Sequence, residues 1–225
     1  MLTELKADLE AVTKRIAAVA ERSGRDPGEI KLIAVSKTHP VETLREALSA
    51  GATVFGENRV QEAEGKIEVI GHNKAEWHLI GHLQANKARK AVQLFDVIQS
   101  VDSVELAKRL DRICEEKHRK NLDVFIQADL AGEEAKSGCP ESDLPHLIDA
   151  INASSRLALR GLMIVPPFFD SPEATRPYFQ RLRKIRDGLL PGGGLSMGMS
   201  HDFEVAIEEG ATVVRVGTAI FGRRD

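Results

Sequence analysis

The most informative part of the sequence is Leu32-Ile33-Ala34-Val35-Ser36-Lys37-Thr38-His39-Pro40, because it passes from an apolar run straight into a turn and a helical pattern. A buried strand followed by a proline-led helix is one β/α unit. Lys37 would then lie at the carboxyl-terminal tip of the first strand, which in a β/α barrel faces the active-site mouth. Poor solvation there lowers the pKa of a lysine from about 10.4, and a neutral amine can attack an aldehyde. The alternative for a lone lysine is a surface side chain whose ammonium stays in solvent.

The rest of the chain repeats this alternation of strand and helix. Strands are predicted at about 31–36, 53–56, 78–81, 95–100, 123–128, 160–165, 195–199 and 212–216, with helical patterns between them. Apolar residues from Leu2 to Val19, spaced three and four apart, predict an amphipathic helix that packs against its own domain. Together these patterns predict an α/β fold, a (β/α)8 TIM barrel preceded by an N-terminal helix. A doubly wound open sheet is the alternative, but no G-x-G-x-x-G follows the first strand, which weakens its dinucleotide-binding form.

The composition bounds the class of protein. The chain has 225 residues, 42% hydrophobic and 29% charged, which suits a single domain over residues 1–225. The net charge of −3 and the pI near 6.2 show no basic bias of the kind that nucleic-acid binding needs. No apolar run approaches the roughly 20 residues that span a bilayer, and the N-terminus lacks a signal peptide's apolar core. We therefore expect a cytoplasmic protein that contacts neither nucleic acid nor membrane.

The C-terminal third carries groups that suit an anion. Ser200 follows the seventh predicted strand, at the start of a helix that opens with His201-Asp202-Phe203-Glu204. Free N–H groups at a helix N-terminus favour an anion. After the eighth strand, Gly217 lets a phosphate approach the backbone closely, and Thr218 offers a hydroxyl. Barrel enzymes often bind phosphate with these two loops, whereas the alternative is that Ser200 only caps its helix.

Arg215 lies within the apolar eighth strand, on the same face as Gly217. A buried guanidinium is costly unless something pairs with it. It would either donate to a ring nitrogen or another acceptor of a bound ligand, or form an inward salt bridge with a carboxylate from another strand.

Ordered segments along nearly the whole chain carry a family resemblance. They are residues 34–38, 55–62, 77–84, 100–103, 161–163, 195–200 and 214–222. Together they resemble the pyridoxal phosphate homeostasis protein family, also called the YggS or PROSC family. That family is similar to the barrel domain of alanine racemase and lacks the second, β-rich domain of that enzyme. The loop 132–138 also matches the family's pattern.

The resemblance implies pyridoxal 5′-phosphate (PLP) as the cofactor. The residues that match cofactor-binding positions are Lys37, Asn58, Ser200, Arg215, Gly217 and Thr218. Lys37 would hold PLP as a Schiff base, and the serine, glycine and threonine would bind its phosphate. Arg215 would face the pyridine nitrogen, and Asn58 would lie near the ring. Arg59 stands where the family often has a tyrosine.

The same resemblance implies a PLP carrier without a catalytic residue or a metal, a monomer that keeps a reactive aldehyde bound and supplies apo PLP-dependent enzymes. A PLP-dependent amino-acid racemase is the alternative. Racemisation needs a base on each face of the Cα–H bond, and alanine racemase takes one, a tyrosine, from the domain missing here. The only tyrosine of this chain, Tyr178, lies in the seventh helical pattern. A guanidinium at the ring nitrogen also weakens the electron sink. A lysine-dependent aldolase ranks lowest, because no acid–base partner motif is evident.

The histidines and cysteines are weaker candidates for a functional site. His78 and His82 sit four strand steps apart, about 13 Å, which is too far for one zinc ion. We therefore expect His78 to be packed or next to the cofactor. Cys114 lies on an apolar helix face and is expected in the core, and Cys139 follows Gly138 in a predicted loop, which suggests exposure. Two cysteines form neither a disulfide framework nor a zinc set.

Overall fold

The computed structural model describes residues 2–132 and 137–222. Residues 133–136, within the loop that matches the family's pattern, lie outside the described ranges. The strands are β1 (Lys31–Val35), β2 (Val54–Glu57), β3 (Glu76–Leu79), β4 (Val97–Val101), β5 (Leu122–Asp129), β6 (Cys139–Pro140), β7 (Leu157–Met163), β8 (Gly194–Met199) and β9 (Val213–Val216). The helices are α1 (Leu2–Arg22), α2 (Val41–Ser49), α3 (Val60–Ile70), α4 (Ala88–Leu94), α5 (Val104–Glu116), α6 (Leu144–Asn152), α7 (Arg176–Leu189), α8 (Phe203–Glu208) and α9 (Thr218–Phe221).

The strands close into a barrel of parallel strands. Neighbours follow the order β4-β3-β2-β1-β9-β8-β7-β5, and β4 also pairs with β5, which closes the ring. The predicted (β/α)8 barrel with a preceding helix is therefore confirmed, and the open-sheet alternative is wrong. No helix in the described part of the chain is long and apolar enough to cross a bilayer.

The short strand β6 lies outside this ring and pairs with the end of β5. It buries Cys139, which is only 2% exposed, and burial raises the pKa of its thiol to about 11. The suggested exposure of Cys139 is therefore wrong, because pairing with β5 covers a segment that looks like a loop from its sequence. Cys114 lies in the core, as predicted.

Alternate residues of the strands face two separate cores. Inside the barrel, one apolar cluster includes Ile33 and Val35 of β1 with Phe125 and Met163 from β5 and β7. Outside, a larger cluster fills the layer between strands and helices, where Ala34 of β1 packs. The period-two alternation along β1 thus separates barrel interior from helix layer, as parallel strands buried on both faces require.

Helix α1 packs against α2, α8 and α9 on the outside of the barrel. Its buried stripe is Leu5, Leu9, Val12, Ile16 and Val19. On its polar side, Arg15 donates to Glu204 of α8 at 2.9 Å. The predicted packing of this helix against its own domain is confirmed.

Strand register brings four carboxyl-terminal ends together. Val35 of β1 pairs with Gly56 of β2, and Ile33 pairs with Arg215 of β9. On the other side of β9, Arg215 pairs with Met199 of β8. The loops that follow β2, β1, β9 and β8 are therefore neighbours at one mouth of the barrel.

Candidate functional site

Lys37 lies in the tight turn that follows β1. It continues the inward alternation of Ile33 and Val35, and it is partly buried. The next residue, Thr38, has a φ of 68°, which a β-branched residue seldom adopts. Strand β1 ends at Val35, and this sharp turn leaves Lys37, two residues later, at the carboxyl-terminal mouth, as predicted.

A buried ionic cluster holds the backbone on both sides of Lys37. The Lys66 ammonium of α3 donates to the Ser36 carbonyl and to Glu57 Oε1, each at 2.7 Å. The Ser36 hydroxyl donates to the same Glu57 oxygen at 2.6 Å. Glu62 accepts from Lys66 at 2.7 Å and from the backbone N–H of Thr38. These hydrogen bonds hold the turn on the face of the sheet that is turned away from the barrel interior.

Burial makes this cluster energetically demanding. Glu57 is fully buried and Lys66 is 5% exposed. Burial raises the pKa of Glu57, although hydrogen bonds from Lys66 and Ser36 oppose the rise. The second carboxylate oxygen of Glu57 has no hydrogen-bond partner among the described residues. We did not predict this cluster from the sequence, although a glutamate at the end of an apolar strand could have indicated a buried charge.

Ser200 connects two loops of the mouth. Its hydroxyl oxygen accepts from the backbone N–H of Gly217 at 3.1 Å and of Ala219 at 3.3 Å. Helix α8 begins only at Phe203, so the expectation that Ser200 lies at its N-terminus is wrong. Instead the turn before α8 is closed by Asp202, whose carboxylate accepts from the Met199 N–H at 2.7 Å.

Gly198 allows this turn to form. It has a φ of 91°, and a Cβ on it would lie 2.5 Å from the Cβ of Ala206 and 2.9 Å from the Cα of Phe203. Any larger residue would push α8 away from β8 and displace the loop that carries Ser200.

Gly217 and Thr218 lie beside the loop of Lys37. A Cβ on Gly217 would lie 3.3 Å from the carbonyl oxygen of Val35, so β1 and the end of β9 approach closely here. Thr218 is exposed and begins α9. At the other end of that helix, Phe221 stacks on His39 with ring centroids 4.9 Å apart. The loop after β1 and helix α9 therefore form one continuous surface.

Arg215 points into the barrel and is 3% exposed. It donates to Ser196 Oγ at 2.6 Å and to the Ile164 carbonyl at 2.7 Å. Burial lowers its pKa to about 10, while Asp202 opposes that shift. Within the described ranges Arg215 forms no ion pair with a carboxylate, so the alternative of an inward salt bridge is not realised. Because a guanidinium has five N–H donors, the group retains donors for a ligand.

Asn58 follows β2 at the same mouth. Its backbone lies against Gly81, where a Cβ would come within 2.3 Å of the Asn58 carbonyl oxygen. Arg59 precedes α3 as its N-terminal flanking residue. Strand pairing therefore brings Asn58 next to Lys37, although the asparagine lies on the side away from Ser200.

His78 is buried and makes hydrogen bonds with two side chains. Its Nε2 lies 2.8 Å from Glu76 Oε1, and its Nδ1 lies 2.8 Å from Gln99 Nε2. His82 instead lies 3.4 Å from Asp102 at the mouth. The prediction of a packed His78 is confirmed. Among the described residues no group of three or more His, Cys, Asp and Glu side chains is placed to bind a metal.

A cleft of about 910 Å³ lies at the opposite mouth, where the strands begin. Lys31, Glu76, Asp123 and Arg160 line it, together with residues of α1. It contains none of the predicted site residues. The predicted site residues lie instead at the carboxyl-terminal mouth.

Comparison with known proteins identifies the family. The family described as "Alanine racemase, N-terminal domain" matches residues 7–225. A pyridoxal phosphate homeostasis protein of Aquifex aeolicus is 44% identical over 96% of both chains. Proteins of the same name from Pseudomonas aeruginosa and Escherichia coli are 42% and 40% identical over all of this chain and 97% and 98% of theirs.

One solved structure supports this family, and a second shares the fold. PipY of Synechococcus elongatus, in a structure described as having PLP bound, superposes with a TM-score of 0.81 at 41% identity, covering 94% of this chain and all of its own. Alanine racemase of Corynebacterium glutamicum, at 22% identity and a TM-score of 0.73, shares the fold over 99% of this chain and 62% of the racemase. The chain therefore belongs to the alanine racemase N-terminal domain family, among the relatives named pyridoxal phosphate homeostasis proteins.

Proposed function

We propose that this protein binds PLP as a Schiff base on Lys37 and serves as a carrier that keeps PLP available to other proteins. One observation supports it most: an inward lysine, a hydroxyl among backbone N–H groups and a buried guanidinium lie on adjacent strands at one mouth. A relative 41% identical to the chain has PLP bound in its solved structure. Within the cell we expect a monomer in the cytoplasm.

The chemistry of these groups fits PLP. When bound, PLP supplies an electrophilic aldehyde, which condenses with an amine by losing one water. Lys37 is partly buried at this mouth, and its amine is the group that would condense with the aldehyde. Arg215 can donate a hydrogen bond to a ring nitrogen, because Ser196 and Ile164 engage two of its five N–H groups.

The phosphate end fits the loops after β8 and β9. Ser200 already lies within hydrogen-bond distance of the N–H groups of Gly217 and Ala219. An anion there would add charge-assisted hydrogen bonds, each contributing roughly 1.5–3 kcal/mol. Thr218 lies on the same loop and offers a second hydroxyl. We therefore expect the phosphate to contribute more binding free energy than the ring.

Two features favour a carrier over a racemase: the position of Tyr178 and the presence of Arg215 where the ring nitrogen is expected. Tyr178 lies within α7 and contacts Phe169 at 5.9 Å between ring centroids, away from the tip of β1. Arg215 is a donor, whereas a strong electron sink needs a carboxylate that keeps the ring nitrogen protonated. The site therefore has a group to bond the aldehyde and groups to hold the phosphate, but no tyrosine to act as a second base opposite Lys37.

Borohydride reduction followed by digestion and mass spectrometry tests the covalent site. PLP-loaded protein should carry the pyridoxyl group on Lys37, and Lys37→Ala should lose both the label and the visible absorbance band. Lys90→Ala, which removes an exposed lysine of α4, is the matched control and should keep both. A label mainly on another lysine contradicts the assignment.

Two further measurements separate carrier from enzyme. Deuterium exchange at Cα, over a panel of L- and D-amino acids, should be far slower than the roughly 1–10³ s⁻¹ of typical enzymes. Under the same conditions the loaded protein should reactivate an apo PLP-dependent enzyme. Rapid exchange with PLP retained would favour the racemase.

A further inference from the structure

A row of polar side chains crosses the apolar interior of the barrel. Arg215 lies at one end and donates to Ser196 Oγ at 2.6 Å. Ser196 donates to Gln99 Oε1 at 2.6 Å, and Gln99 Nε2 lies 2.8 Å from His78 Nδ1. His78 Nε2 lies 2.8 Å from Glu76 Oε1 at the opposite mouth. The row therefore runs from a cation near the proposed cofactor site to an anion near the strand beginnings.

The direction of each hydrogen bond follows from counting donors and acceptors. The guanidinium of Arg215 can only donate, so Ser196 accepts from it and has its own hydrogen left for Gln99. The carbonyl of Gln99 then faces Ser196, and its amide donates to His78 Nδ1. His78 must carry its proton on Nε2, which donates to the carboxylate of Glu76.

The opposite orientation satisfies fewer groups. If the Gln99 amide were turned round, its carbonyl would face His78 Nδ1 and its N–H groups would face Ser196. Ser196 would then accept from both Arg215 and Gln99, and its hydroxyl hydrogen would have no acceptor in the row. The orientation in which every bond donates from Arg215 toward Glu76 is the one that uses each hydrogen.

The side chains of this row are buried, so each of their polar groups needs a hydrogen-bond partner. Ser196 and Gln99 are 0% exposed, His78 is 2% exposed and Arg215 is 3% exposed. An unpaired polar group at such depth is strongly unfavourable. The charged end is well stabilised, because hydrogen bonds from His78 and Lys31 lower the pKa of Glu76 to about 2.

We propose that Ser196, Gln99 and His78 are positioning residues that hold the Arg215 guanidinium in the orientation that donates to the ring nitrogen of PLP. This inference rests on the proposed function. Ser196 is the side chain that contacts Arg215 directly, and Gln99 and His78 keep Ser196 oriented with its lone pair toward the guanidinium. The row also links the proposed cofactor site to Glu76 and Lys31, which line the cavity at the other mouth.

The protein without PLP gives the first test, because it does not depend on cofactor binding. ¹⁵N NMR of histidine-labelled protein at pH 7 should show His78 as the neutral Nε2–H tautomer. The His78→Gln variant assigns the resonance. An Nδ1–H tautomer or an imidazolium at that pH would overturn the donor order.

Variants of the row give the second test. Ser196→Ala and Gln99→Met should each release PLP about ten-fold faster, the effect of losing one hydrogen bond to a charged group. Each should also shift the absorbance maximum of bound PLP, which a purely structural change would leave in place. Ser196→Thr retains the hydroxyl and should restore both properties. Rates are measured at a temperature at which circular dichroism shows each variant folded.

Asp123→Asn is the matched control. It breaks the 2.9 Å ion pair with Arg160 at the same mouth as Glu76 but lies outside the row. PLP release and absorbance should then match the unmodified protein. Unchanged release and absorbance in folded Ser196→Ala and Gln99→Met would overturn the positioning role. Failure of the unmodified protein to bind PLP would overturn the proposed function instead, and the His78 tautomer would still report on the row.

Discussion

Replacing Lys66 by methionine should destabilise the protein strongly, because Lys66 compensates a carboxylate that water cannot reach. The Lys66 side chain is 6% exposed and that of Glu57 is 0% exposed, with 2.7 Å between their charged groups. In Lys66→Met, Glu57 must fold either as an uncompensated anion or in its neutral form. Breaking a buried pair in this way typically costs about 3–5 kcal/mol.

The loss of stability in Lys66→Met should depend on pH. Without Lys66, the pKa of Glu57 in the folded state rises further above its unfolded value of about 4.3. A folded pKa above the unfolded one favours folding at low pH, and that stability is lost as the pH rises. Folding with Glu57 neutral costs about 4 kcal/mol at pH 7 and about 1 kcal/mol at pH 5. The variant should therefore be much closer to normal stability at pH 5 than at pH 7.

Urea denaturation at both pH values measures the effect. The double variant Glu57→Gln/Lys66→Met should recover most of the loss at pH 7 and remove the pH dependence, since the carbonyl of the introduced amide can still accept from Ser36. Lys90→Met is the matched control, because it breaks an exposed pair with Glu64. A loss below about 1 kcal/mol at pH 7, or an equal loss at both pH values, would refute the account of a buried carboxylate.

Three further outcomes follow from the geometry of the site. Ser200→Ala should weaken PLP about ten-fold or more in a fluorescence titration while leaving the weaker binding of pyridoxal nearly unchanged, since pyridoxal lacks the phosphate; equal losses for both ligands would place the phosphate elsewhere. Gly198→Ala should lower the free energy of unfolding by more than about 1 kcal/mol in urea, because of its φ of 91° and the contact with Ala206. Cys139 should react with a thiol reagent far more slowly in the native protein than in urea, because it is 2% exposed and its thiol pKa is about 11; fast native labelling would contradict its burial in β6.

Local pattern was sufficient for the barrel and for the lysine at its mouth. Alternating apolar runs and helical stripes are properties of neighbouring residues, so they can be read without knowing what each element packs against. The ends of the strands were predicted less accurately. Strand β3 runs from Glu76 to Leu79, whereas the sequence pattern predicted a strand over 78–81. A polar residue at the start of a strand breaks the apolar pattern, and only pairing with β2 shows that Glu76 belongs to β3.

The clusters around the site depended on residues far apart in the chain. Ser36 binds Glu57 and Lys66 through strand pairing and the packing of α3, and nothing in their local patterns predicts that contact. The same holds for Ser196 and Gln99, which are 97 residues apart and meet across the barrel interior. Such contacts depend on which residues face inward once the ring closes.

Reading the chain alone was enough to recognise the alternation of strands and helices, the position of Lys37 at a strand tip and the family resemblance. Closure of the barrel determined that Ser200 accepts from the N–H groups of the loop after β9 rather than capping α8. It also decided that Arg215 is satisfied by Ser196 and a carbonyl rather than a carboxylate. Propensity and amphipathic pattern act over a few residues, whereas hydrogen-bond partners across a closed barrel are set by strand register and by the direction each side chain faces.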